Sequence, residues 1–91
     1  VEKTIYFPPY RQFLAWLKGE RGKRRLTMRK VAGAIQVPSS WVSKIEHGDR
    51  RLDVAEYVRY CIALKIDPHK GIARLERDTR EWLRKNRPDK S

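Results

Sequence analysis

From Tyr10 onward the apolar residues recur at helical rather than strand spacing. Tyr10, Phe13, Leu14 and Leu17 form one stripe, so a first helix is predicted from about Pro9 to Arg24, with proline at its start where the missing N–H costs nothing. Gly19 and Gly22 weaken it. Met28, Val31, Ala32 and Ile35 stand at i, i+3, i+4 and i+7 behind Thr27 as N-cap, which predicts a second helix over 28–35. A third is expected over 38–47, where Val42 and Ile45 face inward while Ser39, Ser40, Ser43 and Lys44 project elsewhere. After the loop HGDRRL, Asp53 and Glu56 make a capping-box pattern and Leu52 with Tyr57 a hydrophobic staple at the head of DVAEYVRYCIALK. The last helix opens at Asp67 and Pro68 and runs to about Asn86, before Pro88 ends it.

Ahead of these helices, Thr4, Ile5, Tyr6 and Phe7 are β-prone and are stopped by Pro8 and Pro9, which predicts an extended arm, with one short strand as the alternative. The expected fold is therefore all-α. One domain of 91 residues holds an N-terminal arm over 1–8, a helical core over 9–67, and a C-terminal helix and tail over 68–91.

Charge narrows the partner. The 22 Lys and Arg against 11 Asp and Glu leave a net charge of +11, which calls for a polyanion, nucleic acid first and anionic membrane second. The excess is +7 over residues 1–30, +1 over 31–73 and +3 over 74–91, so most of it precedes the second and third helices. The longest apolar runs, VAGAI and YCIAL, fall far short of a membrane span, and the N-terminus has no apolar signal core. The chain is expected to stay in the cytoplasm. A lone Cys61, on a predicted helix among Val58, Ile62 and Leu64, is read as a small buried hydrophobe in a reducing compartment. His47 and His69 lie 22 positions apart without thiolate partners, so neither a zinc site nor any cofactor is expected, and no catalysis is implied.

Two short amphipathic helices joined by a tight turn, the second opening with small polar side chains, is the sequence form of a DNA-reading helix-turn-helix. A major groove about 12 Å wide admits a helix whose leading side chains are short or deliberately reaching. Ser39 and Ser40 are short, and Lys44, one turn after Ser40, reaches far enough to donate to guanine O6 or N7. Ser39 serves equally well as an N-terminal cap. Trp41 stands one position from the reading face and either packs or meets a thymine methyl, with packing favoured. Ser43 faces the groove but is too short to read much beyond phosphate. Phosphate contacts are expected from Thr27, Arg29 and Lys30 on one flank, where two basic residues in a first turn oppose the helix dipole, and from Arg50 and Arg51 on the other.

The stretch from Leu26 to Leu64 resembles the Cro and C1 repressor type of helix-turn-helix regulator, the XRE family. The resemblance rests on Leu26 and Thr27, Ala32, VSKIEHG at 42–48, RRLD at 50–53 and LKIDP at 64–68. It implies a lambda-repressor-like five-helix bundle whose third helix enters the major groove of an operator. It also implies an ion pair between an arginine late in the first helix and a glutamate near the end of the recognition helix, here Arg21 and Glu46. Two positions depart from the family pattern. Gln36 stands where the turn usually has Gly, which would force a left-handed backbone costing about 1 to 2 kcal/mol, and Met28 stands where the family often has a phosphate-binding Gln.

The function expected is sequence-specific binding of double-stranded DNA by a small transcription regulator, a repressor acting as a homodimer on a palindromic operator. Ile72, Leu75, Thr79, Trp82 and Asn86 recur at spacings of three and four and are read as the dimer seam. In the alternative, Ile72 and Leu75 only cap the core. A different class is an antitoxin-like module that binds a partner protein and autoregulates its operon, for which Tyr6, Phe7 and Trp82 would supply exposed aromatics. RNA binding is weakly supported, since no stacking sheet or KH-like loop is in view.

Overall fold

Proline sets where two of the helices begin, and capping side chains set two more. The computed structural model describes residues 6–87. They form α1 (Pro8–Lys23), α2 (Met28–Ala34), α3 (Ser39–His47), α4 (Val54–Leu64) and α5 (Pro68–Lys85), with no strand among the described residues. Pro8 and Pro68 occupy first-turn positions of α1 and α5, where their fixed φ is already helical. Most of the expected arm, residues 1–5, lies outside the described residues. At its described end, α1 starts at Pro8, and Phe7 is its N-cap.

Thr27 caps α2 by accepting from Lys30 N at 3.1 Å. The turn that follows takes a left-handed residue at Gln36, φ 60°, as the resemblance implied, and Val37 N closes it on Ala32 O at 3.0 Å. The N-cap of α3 is Pro38, with no side-chain cap bond. Ser39 is therefore not the cap but the first helical residue. At the other end of α3, Gly48 (φ 77°) is the left-handed terminator. Gly48 N donates to Ile45 O at 3.1 Å and Asp49 N to Lys44 O at 2.8 Å, which satisfies the last carbonyls. The α4 capping box is complete: Asp53 accepts from Glu56 N at 2.7 Å and Glu56 from Asp53 N at 3.0 Å.

The core joins Tyr10, Phe13, Leu14 and Leu17 of α1 to Val31 and Ala32 of α2, Val42 and Ile45 of α3, and Tyr57, Tyr60, Cys61 and Leu64 of α4. Burial pushes the Cys61 thiol pKa up, which keeps it protonated. Its expected neighbours Val58 and Ile62 are instead exposed, because the tyrosines Tyr57 and Tyr60 take the inward face of α4. Gly71 lets α5 approach. A Cβ there would stand 2.7 Å from the Trp16 ring and closer still to the Tyr57 hydroxyl, and that hydroxyl donates to Pro68 O at 2.6 Å across the same contact.

Candidate nucleic-acid interface

The inward side of α3 is fixed by two side chains from other helices, Arg21 and Tyr60. Val42 and Ile45 are fully buried, and Glu46 beside them is only 2% exposed. Arg21 of α1 donates to it in bidentate fashion, Nε to Oε2 at 2.6 Å and Nη2 to Oε1 at 2.9 Å. Its Nη1 also reaches Leu26 O at 2.7 Å. Tyr60 of α4 donates to Glu46 Oε2 at 2.5 Å. The carboxylate raises the Arg21 pKa, while burial first, and then this carboxylate, push the Tyr60 hydroxyl pKa upward. The negative charge of α3 is thus cancelled from within. Tyr60 is the partner that sequence reasoning missed, and the available signal was an interior tyrosine whose hydroxyl must find an acceptor.

Ser39, Ser40 and Lys44 stand exposed on the outward side. Ser43 is half-buried and turned toward His47, whose Nδ1 lies 2.7 Å from Ser43 O and 3.3 Å from its hydroxyl. A carbonyl oxygen only accepts, so Nδ1 carries the hydrogen. Trp41 packs against the core edge, and the Arg50 guanidinium lies 5.4 Å from its ring centroid.

The two expected flanks differ in how free their cations are. Thr27, Arg29 and Lys30 are exposed, and the Thr27 oxygen accepts from the backbone, which leaves its own hydrogen for an outside acceptor. Arg50 is tied down: its two terminal nitrogens donate to Glu56 at 3.0 and 2.9 Å, and one of them to Arg51 O at 3.2 Å. That pairing, first among its causes, lowers the Glu56 pKa. Arg51 is exposed and has no carboxylate within 4 Å among the described residues. Tyr10 Oη accepts from Leu52 N at 3.0 Å and anchors the same loop to α1.

On α5 the seam changes composition. Ile72 is 45% exposed, and Leu75 is half-buried against the core. Trp82, expected as an exposed aromatic, is half-buried because the Phe7 ring meets it edge-on at 4.9 Å and 77°. Phe7 is likewise not free. Eleven residues on from Ile72 return to within roughly 20° of its direction, whereas ten miss by about 80°. Leu83, 55% exposed, therefore continues the stripe in place of Trp82. Ile72, Leu75, Glu76, Thr79, Arg80 and Leu83 border one shallow apolar depression. Tyr6 is exposed. Among the described residues no group of three or more His, Cys, Asp or Glu side chains could hold a metal ion. No described helix is long and apolar enough to cross a membrane.

A helix-turn-helix domain family model matches residues 12–70, from the first turns of α1 to the start of α5. Among solved structures, the XRE-family like protein from Pseudomonas syringae pv. tomato str. DC3000 is similar to this chain, with 35% sequence identity and a TM-score of 0.77. The match covers 85% of this chain and 94% of that one. The chain belongs to the XRE family of helix-turn-helix proteins. None of the curated proteins matches it. As an XRE-family protein it is a DNA-binding regulator, and α2 and α3 are its helix-turn-helix.

Proposed function

We propose that the protein reads a specific site in double-stranded DNA with α3, and represses transcription as a homodimer on an operator of two-fold symmetry. One observation carries the reading: α3 presents Ser39, Ser40 and Lys44 outward while its only carboxylate, Glu46, is neutralised from inside by Arg21. Lys44 reads guanine, and Ser40 with Ser39 meets bases or phosphate. Because no side chain caps α3, the N–H groups of Ser39 and Ser40, ahead of the Trp41 N–H that donates to Pro38 O, are open to an acceptor from DNA. Trp41 and Ser43 serve at the margin of that face, one by packing and one by a phosphate contact. Thr27, Arg29, Lys30 and Arg51 hold phosphates, and Arg50 positions the loop that carries Arg51.

The second copy pairs through the outer stripe of α5. An antiparallel arrangement sets Ile72 near the second copy's Leu83 and Glu76 near its Arg80, whereas a parallel one brings like charges together. Leu75 contributes its exposed edge, and Trp82 stays with Phe7.

Selection of bound duplexes from a random pool tests the reading. The expected outcome is an inverted repeat with half-sites about 10 base pairs apart. A pool without enrichment overturns sequence-specific binding. The substitutions Ile72→Glu and Leu83→Glu together are expected to leave a monomer in sedimentation at micromolar concentration, and an unchanged dimer would place the interface elsewhere.

A further inference from the structure

A second basic surface lies away from the recognition helix. The groove between α1 and α5 holds about 520 Å³ and is lined by Trp16, Glu20, Lys23, Lys70, Arg74 and Arg77, with Ala73 just before Arg74. Lys70, Arg74 and Arg77 stand at i, i+4 and i+7, one side of α5 over about 10 Å. The single carboxylate of the groove, Glu20, is already shared by Lys23 at 3.0 Å and Arg24 at 2.8 Å. Lys70 and Arg74 have no carboxylate within 4 Å among the described residues, and both are exposed. Lys70 and Arg74 thus face the half-buried indole of Trp16 unpaired, flanked by Lys23, which shares Glu20, and by Arg77, 3.3 Å from Asp78.

The groove is turned from DNA. Arg21 points from α1 to α3 through Glu46, and at about 100° per residue Lys23 lies roughly 200° and Trp16 roughly 140° around α1 from it. A duplex seated on α3 is on the other flank. A second copy of the chain has little to offer: Glu20, Glu46, Glu56, Glu76, Asp78 and Glu81 each already have a basic side chain within 4 Å. Asp53 and Asp67 are engaged as helix caps, which leaves only Asp49 among the described residues, and one carboxylate does not match the row of Lys70, Arg74 and Arg77.

We infer that this groove binds an acidic segment of a partner protein, a helix carrying carboxylates at i, i+4 and i+7 and an apolar side chain against Trp16. The inference uses the assignment of α3 as the DNA face to exclude DNA from the groove, and its test is separable from that assignment. The probe is a fluorescein-labelled helical peptide with Glu at i, i+4 and i+7 and one Leu between them, titrated into the full chain without DNA, with the Gln-for-Glu peptide as control. The Glu peptide is expected to bind and the Gln peptide to bind at least tenfold more weakly. Lys70→Glu with Arg74→Glu is expected to weaken the Glu peptide at least tenfold, and Lys70→Gln with Arg74→Gln to weaken it by less. Arg29→Glu with Lys30→Glu is expected to leave it within twofold. Equal peptide affinity in wild type and the Lys70, Arg74 variants overturns the proposal. So does a loss of duplex affinity in those variants as large as in the Arg29, Lys30 variant, since the groove would then be a DNA contact. Lys70 and Arg74 are exposed, and a melting temperature matching wild type checks that the variants fold.

Discussion

On the distal half of α5, Arg77, Arg80, Arg84 and Lys85 each lie beside a carboxylate, from Asp78, Glu76 or Glu81. In the helix-turn-helix, Arg29, Lys30, Lys44 and Arg51 have none within 4 Å among the described residues. The two regions use the same residue types to different ends. Pairs spaced three or four apart on an exposed helix contribute a few tenths of a kcal/mol each and are weakened by salt, so Arg80, Arg84 and Lys85 support their own helix. Those of the motif support nothing inside the protein. Net charge alone does not tell the two apart, and the location of the carboxylates does.

The contrast is sharpest at Glu46, the one motif carboxylate that has partners, all of them internal. Glu46→Ala leaves the Arg21 cation largely buried and unpaired, and should cost about 3 to 5 kcal/mol in urea denaturation. A loss under about 1 kcal/mol would make this pair no different from those on the surface of α5.

Gly71 docks the start of α5 on α1 and α4, at a point where a Cβ would meet Tyr57 and Trp16. Gly71→Ala should destabilise by about 1 to 3 kcal/mol in thermal melts through overpacking against Tyr57 and Trp16, and unchanged melting would show that α5 docks independently of this contact.

Within the motif, Lys44→Ala should cost about 1 to 3 kcal/mol on the selected site and relax preference at one base position. Arg51→Ala should lower affinity on all sequences alike and reduce the slope of affinity against salt by about one unit. Base-preference profiles that stay identical for Lys44→Ala would remove the distinction between reading and holding.

The smallest effect concerns Arg50, a motif arginine that is paired like those of α5. Its partner Glu56 has a pKa held below the ordinary carboxylate value. A depressed folded pKa contributes stability that is present above the unfolded value and lost as pH falls through the folded one. Stability of the wild type should therefore decline on acidification more steeply than that of Glu56→Gln, followed by denaturation at a series of acid pH values. Parallel profiles would show the pairing to be without net effect.

What was legible in the sequence was local. Pro68, Asp53 with Glu56, and Thr27 announce helix starts because each acts on backbone groups within three residues of itself. At Gln36 the resemblance, which puts Gly in that turn, pointed to the left-handed conformation found there, φ 60°. The α3 cap misled, since Ser39 is a good capping residue but Pro38 before it already takes the extended cap conformation. Contacts between distant residues were hidden. Nothing near Trp82 indicates that Phe7 covers it, and the outward turn of Val58 and Ile62 depends on tyrosines finding oxygen partners on other helices. For Arg21 and Glu46 the resemblance supplied what spacing could not.

The Phe7 ring on Trp82 has a consequence for the connectivity of the molecule. It makes the first turn of the first helix a neighbour of the last turn of the last, so the backbone runs as a nearly closed ring. A short flexible linker would suffice to join those two points. The chain could then be opened in a loop between helices, away from Arg51, with the recognition surface carried intact by a permuted protein.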